Sequence, residues 1–152
     1  MDQVNISEFE LLKTAEVISH ARDSVTNDKI IAMIDKVFAN VPRVLRMKKG
    51  AQVMLTRNIS VSNGLVNGSR GVITGFRDGG QPVVKFHAGD LEMPIKLEIY
   101  RFDMGDATIT RTQYPLVLAW ALSIHKSQGM SLDLATVRND GLYNFDIIYY
   151  ND

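Results

Sequence analysis

Cysteine is absent from the 152-residue chain, which excludes disulfides and thiolate metal centres and suits a reducing compartment inside the cell. No apolar run approaches the ~18 residues of a membrane span. The first residues lack the basic-then-apolar order of a signal peptide, so no membrane partner is expected. The net charge is zero, so the averaged field does not by itself favour a polyanion. Also missing is G-x-x-x-x-G-K-[ST], the string whose loop cradles nucleotide phosphates, and no Asp-Glu or Glu-Glu pair stands ready for a metal. No ATP hydrolysis is therefore expected of this chain alone. No metal-ligand spacing joins His20, His87 and His125, so no metal site is expected.

What is present is an uneven distribution of charge. Residues 1–42 carry seven acids and four bases, whereas 43–77 carry seven bases (Arg43, Arg46, Lys48, Lys49, Arg57, Arg70, Arg77) and no acid. A polyanion would meet the middle of the chain first; the alternative is a solvated basic face. Ser7-Glu8-Phe9-Glu10 has the form of a capping box, and Leu11, Ala15 and Ile18 follow at helical spacing, which predicts a helix from about 8 to 21. Asp23 to Asn27 reads as a turn. Asn27 is placed to cap a second helix with the stripe Ile30, Ile31, Ile34, Val37, Phe38, ended by Pro42.

Past Gly50 the pattern becomes β-rich. Val53–Leu55, Gly71–Phe76, Pro82–Phe86, Leu91–Ile95 and Ala107–Arg111 read as short strands, with Asp78-Gly79-Gly80 as a turn. Their spacing suggests a small barrel. Asn67-Gly68 favours positive φ and a tight turn that holds Arg70, either as a functional cation or as an ordinary exposed arginine. Pro115 to Ile124 is densely apolar and buried, as helix or strand. Trp120 lies inside it, so core packing is preferred to base stacking. The run ends at the polar loop His125-Lys126-Ser127-Gln128-Gly129, which offers several donors to phosphate oxygens. The tail, 143–150, carries no assigned structure.

Three stretches, in order, resemble the PIF family of ATP-dependent DNA helicases. Pro42 to Leu55 is similar to the family's basic lead into a Gly-Ala-Gln-Val-Met-Leu strand. Leu65-Val66-Asn67-Gly68-Ser69-Arg70-Gly71-Val72 is similar to the signature that opens its SH3-like insertion. Gln113 to Asp133 resembles helicase motif V with its lead-in. The resemblance implies an α/β fold: a partial RecA-like second motor domain, residues 1–58 and 107–152, with a small SH3-like β-barrel inserted at 59–106. It implies that Ser123 and His125 face single-stranded DNA and that Lys126, Gln128 and Gly129 lie nearer the ATP phosphates. Asn67 and Arg70, with Arg57 and Asn58 after the Val53–Leu55 strand, would contact DNA.

The activity so implied is 5′-to-3′ DNA unwinding, with ATP binding coupled to strand grip through Ser123–Gly129. Its partners are single-stranded DNA or a single/double-strand junction, and an N-terminal motor domain that would precede residue 1. ATP and Mg²⁺ would serve the intact enzyme, and none is expected on this chain alone. The setting is nuclear, mitochondrial or that of a virus-infected host. The family's arginine-bearing motif VI has no counterpart around Arg138. The alternative is a truncated, non-catalytic relic that binds single strands or regulates a partner; a third reading is an SH3-like protein-interaction module. An incomplete sheet has exposed edges, so the isolated chain is expected to be marginally stable.

Overall fold

The computed structural model describes residues 2–123, 135–139 and 145–149. Helix α1 (Asp2–Leu11) opens the chain, and strand β1 (Glu16–His20) follows it at once. The helix expected over 8–21 is thus two elements. The Ser7 hydroxyl does not cap a helix; it donates back to the Gln3 carbonyl at 2.8 Å from inside α1, the alternative use open to a helical serine. Val17 and Ile18 are β-branched, and β1 alternates in exposure along its length. It pairs antiparallel with β3 (Val44–Lys48). That long-range ladder outweighs the helical spacing of Leu11, Ala15 and Ile18. The expected turn at Asp23–Asn27 begins instead as β2 (Arg22–Val25).

The cap at Asn27 is formed. Its backbone is extended (φ −142°, ψ 117°), and its side chain accepts from the Lys29 amide at 3.0 Å. The element it starts is a 3-10 helix over Asp28–Met33 that widens into a single α-turn, α2 (Ile34–Val37). Ile34, Phe38 and Val41 are buried from here against Ile109, whereas Ile31 is half exposed.

Every described ladder is antiparallel. Strand β4 (Gln52–Leu55) is buried at all four positions, paired on both sides within a five-stranded sheet. It lies between β10 (Leu116–Leu118) and β5 (Arg70–Arg77), with β6 (Gln81–Phe86) and β7 (Glu92–Pro94) beyond β5. The Asp78–Gly80 turn joins β5 to β6 as expected. β8 (Glu98–Met104) and β9 (Ala107–Gln113) pair with β2 in a second sheet, β2-β9-β8. The third is built from β11 (Ala121–Ser123), β12 (Ala135–Asn139) and β13 (Phe145–Tyr149). The apolar run, as far as residue 123, therefore holds two short strands, and the tail holds one. The strands expected to close a barrel form open sheets: β10 and β7 are the edges of the five-stranded one, and no closed barrel forms among the described residues.

One core unites α1 with the five-stranded sheet through Phe9, Leu45, Met47, Val53, Leu55, Leu65, Ile73, Val84, Phe86, Ile95, Leu116 and Trp120. Inside it β5 and β6 approach so closely that Gly71 has no room for a side chain. A Cβ there would stand 2.5 Å from the Lys85 carbonyl oxygen and 2.7 Å from Val84 Cγ1. Gly75, further along the strand past the bulge, would meet nothing within 4 Å. Gly71→Ala is expected to cost about 1–3 kcal/mol by forcing two strands apart. Gly75→Ala should stay within about 0.5 kcal/mol. Urea midpoints of the two variants check this; equal midpoints would contradict it.

Candidate nucleic-acid interface

The segment between β4 and β5, residues 56–69, is a loop closed by its own hydrogen bonds. The Gly68 amide donates to the Leu55 carbonyl and the Leu55 amide to the Ser69 carbonyl, both at 2.8 Å. Ser69 N–H donates to Val66 O at 2.9 Å, which closes a turn with Asn67 and Gly68 at its centre. Gly68 has φ +94°, while Asn67 keeps a negative φ. Positive φ at the second central position alone is the type II pattern, and it needs glycine there. The Ser69 hydroxyl accepts from Val66 N–H and donates to Gly64 O. Leu65, fully buried, anchors the loop in the core.

The structure joins two of the expected contact residues directly: Asn67 N–H donates to Asn58 Oδ1 at 2.7 Å. Arg57, just before Asn58, is held from β8. Its Nη1 donates to Ile99 O at 2.9 Å and to Glu98 Oε2 at 3.4 Å. Its guanidinium sits 4.9 Å from the centre of the Tyr100 ring. Tyr100 Oη in turn shares a 3.0 Å hydrogen bond with Thr56 Oγ1. Burial raises the Tyr100 pKa above the ordinary phenol value, so the ring stays neutral beside the cation. Arg70 begins β5 and donates to Gln52 Oε1 at 3.3 Å. Arg57, Asn58 and Asn67 are exposed, and Arg70 is partly covered. Ser123 ends β11, in register with Asp146. His125, Lys126, Gln128 and Gly129 lie outside the described residues.

The basic stretch 43–77 is not the uninterrupted basic face its sequence suggests. Arg46 bridges Glu10 and Glu16 at 2.9 and 2.6 Å, and Arg43 pairs with Asp35 at 3.2 Å. Lys48 is buried and donates to the Phe9 and Leu12 carbonyls at the C-terminal end of α1, over the Phe9 ring. The acids of residues 1–42 thus fold back onto the bases of the middle. Lys49 and Arg77 remain exposed.

These pairs carry a pH dependence. A hydrogen bond from Arg46 lowers the Glu16 pKa, and one from Arg111 lowers that of Asp35. A carboxyl whose folded pKa is depressed binds fewer protons folded than unfolded. It therefore stabilises above the ordinary carboxylate value, about 4, and that contribution is lost as pH falls through the folded value. The melting temperature should fall below about pH 4. Asp35→Asn should lower the neutral-pH value while flattening the acid limb; an unchanged acid limb would contradict the assignment.

Sequence reasoning missed Tyr100 and Glu98 as the residues that orient Arg57. It also missed the buried Arg111, which sits at an inward position of a strand whose exposure alternates strictly. That alternation is the signal by which it can be found.

Against this geometry, residues 36–76, which include the whole of the 56–69 loop, match the family model described as the 2B domain of DNA helicase Pif1. A zebrafish protein named ATP-dependent DNA helicase PIF1 is 41% identical over 139 residues, covering 90% of this chain and 22% of the relative. The human protein of that name is 49% identical over 100 residues, covering 64% of this chain and 15% of the relative. The crystal structure of Pif1 helicase from Candida albicans superposes with a TM-score of 0.74 at 29% identity, over 86% of this chain and 35% of that one. The chain is thus built like part of a DNA helicase, and it belongs to the PIF helicase family. It spans about a fifth of the length of the zebrafish relative.

Proposed function

We propose that this chain is part of the second motor domain of an ATP-dependent 5′-to-3′ DNA helicase and contributes its grip on single-stranded DNA. The observation that carries the reading is the rigid, exposed 56–69 loop. It lies inside the segment that matches a helicase domain and exposes Arg57, Asn58 and Asn67, with the Arg57 guanidinium held on Ile99 O and the Asn67 amide on Asn58 Oδ1. Residues 1–58 and 107–152 would be the RecA-like part and 59–106 the SH3-like insertion. Ser123 and His125 would complete the strand contact. Lys126, Gln128 and Gly129 would lie toward the nucleotide, so that Ser123–Gly129 relays ATP binding to DNA. ATP and Mg²⁺ belong to the intact enzyme, with the first motor domain supplying the phosphate loop. This sequence has no such loop, and the described residues hold no cluster of three or more acidic or histidine ligands. The site of action would be intracellular: the nucleus, the mitochondrion or a virus-infected host cell.

The test pairs binding with turnover. Filter binding of the chain to single-stranded oligonucleotides should weaken steeply with salt, as phosphate contacts require. Arg57→Gln should reduce the slope by about one counterion. In the enzyme that contains both motor halves, His125→Ala should uncouple ATP hydrolysis from unwinding, whereas Arg70→Ala should lower unwinding with less effect on basal hydrolysis. No binding at any salt would refute the grip, and His125→Ala with both rates unchanged would refute the relay. The second reading is a non-catalytic single-strand binder or regulator of a partner. It predicts the same salt dependence without restored hydrolysis when a first motor domain is supplied.

A further inference from the structure

A cleft lies where β1, the β5–β6 turn, Leu97 and β9 meet. Its volume is about 230 Å³, and its polar lining comes from Ser19 (whose hydroxyl donates to Gln113 Oε1), His20, Arg22, Thr112, Tyr114 and the backbone of Gly79 and Gly80. That is below the roughly 300–1,000 Å³ of pockets for drug-sized ligands, so it suits a small group. Tyr114 is nine-tenths buried, yet no described residue hydrogen-bonds its hydroxyl, although its backbone amide is satisfied by Gln113 Oε1 at 3.0 Å. A polar group without a protein partner is free to bond a water or an anion that enters the cleft. Arg22, exposed on the rim, has no carboxylate partner among the described residues. The neighbouring acids are taken: Asp23 by Arg111, Glu16 by Arg46 and Glu98 by Arg57. Asp78, next to Gly79, is outside the lining. In the turn, helical Asp78 precedes Gly79 at φ 76° and Gly80 at φ 79°. A right-handed then left-handed residue makes the concave run of backbone N–H groups that favours anions.

We infer that this cleft is a phosphate-binding site, taking one phosphate oxyanion from Arg22, the Tyr114 hydroxyl and the Gly79–Gly80 turn. The phosphate belongs either to a nucleic-acid strand or to a free phosphate compound. The site stands independently of the strand grip proposed for 56–69. Arg22 supplies the fixed charge, His20 and the Thr112 hydroxyl supply further donors, and the buried tyrosine gives the depth that a surface arginine alone lacks.

The test is an amide-resolved NMR titration of the whole chain with inorganic phosphate and, separately, with a short single-stranded oligothymidylate. Sodium chloride at matched ionic strength is the control. Phosphate should shift the amides of Arg22, Gly79, Gly80 and Thr112, and chloride should not. Arg22→Gln should weaken the phosphate effect about tenfold. Tyr114→Phe, which keeps the ring in the core and removes only the hydroxyl, should weaken it several-fold. Shifts of the same amides by the oligonucleotide assign the phosphate to a strand; shifts by phosphate alone assign it to a free compound. No shifts with either probe, or equal shifts with chloride, overturn the site whatever happens at 56–69.

Discussion

Arg111→Met is expected to destabilise the chain by about 3–5 kcal/mol, the cost of stranding a buried charge. The Arg111 side chain is 2% exposed. Its Nε and Nη2 fork onto Asp23 at 2.7 and 2.8 Å, Nη2 also reaches Asp35 at 2.7 Å, and Nη1 donates to Val41 O at 2.9 Å. One side chain on β9 thus binds β2, α2 and the turn that leads into β3. Methionine fills much of the same volume but leaves the Asp23 carboxylate, 19% exposed, facing apolar surroundings with only Arg43 at 3.7 Å. Asp35, 65% exposed, regains water, so its loss of partner costs little. Two comparisons follow. Asp23→Asn should cost more than Asp35→Asn. Adding Asp23→Leu to Arg111→Met should recover part of the loss, because the uncompensated charge goes with it. Urea denaturation of the four variants measures this. Against a total of about 5–15 kcal/mol for an ordinary domain, the single change removes a large share of the stability. A loss under about 1 kcal/mol would mean that the network contributes no more than a surface ion pair.

The same network marks where reading the sequence stops. Asp23 and Asp35 lie 88 and 76 positions from Arg111, and no local pattern announces such a partner. Arg46 likewise finds Glu10 and Glu16 across 36 and 30 positions, which is why a run of seven bases without an acid looks more basic in the sequence than it is in space. Several features that depend on neighbouring residues were legible. Asn27 caps through its own side chain, Asp78–Gly80 makes its hairpin turn, and Gly68 needs positive φ. The failed cap at Ser7 was local, its hydroxyl donating to Gln3 O from inside α1; two other failures were not. The helical spacing over 8–21 was overruled by the β1–β3 ladder, and short alternating strands did not disclose whether their sheet closes. Both are decided by contacts between distant segments, which alternation and propensity do not encode. At the candidate interface, Asn58 and Asn67 could be named but not their mutual hydrogen bond, and Arg57 but not the Tyr100 and Glu98 that orient it.

The second large effect is expected at Trp120, and it separates a core role from a DNA-stacking role. Trp120 is 6% exposed and meets the Phe9 ring edge-on, with centroids 6.5 Å apart and planes at 77°. Phe9 is itself 1% exposed, with Arg46 5.0 Å and Lys48 4.6 Å from its ring centre. The indole therefore fastens α1 to the sheet, and its faces are covered where a base would have to stack. Trp120→Ala should cost about 3–5 kcal/mol and release α1; any fall in DNA binding would then follow the fraction unfolded. Trp120→Phe should keep the aromatic contact and lose much less. Because this is the only tryptophan in the chain, its fluorescence reports the site without assignment. Emission should be blue-shifted in the folded chain, shift red on unfolding, and stay constant when single-stranded DNA is added. Strong quenching by an oligonucleotide, with the fold intact, would show a base on the indole and overturn the core assignment. A stacked base would also make Trp120→Ala cost about 1–3 kcal/mol of binding per base while sparing stability, the reverse of what its burial against Phe9 requires.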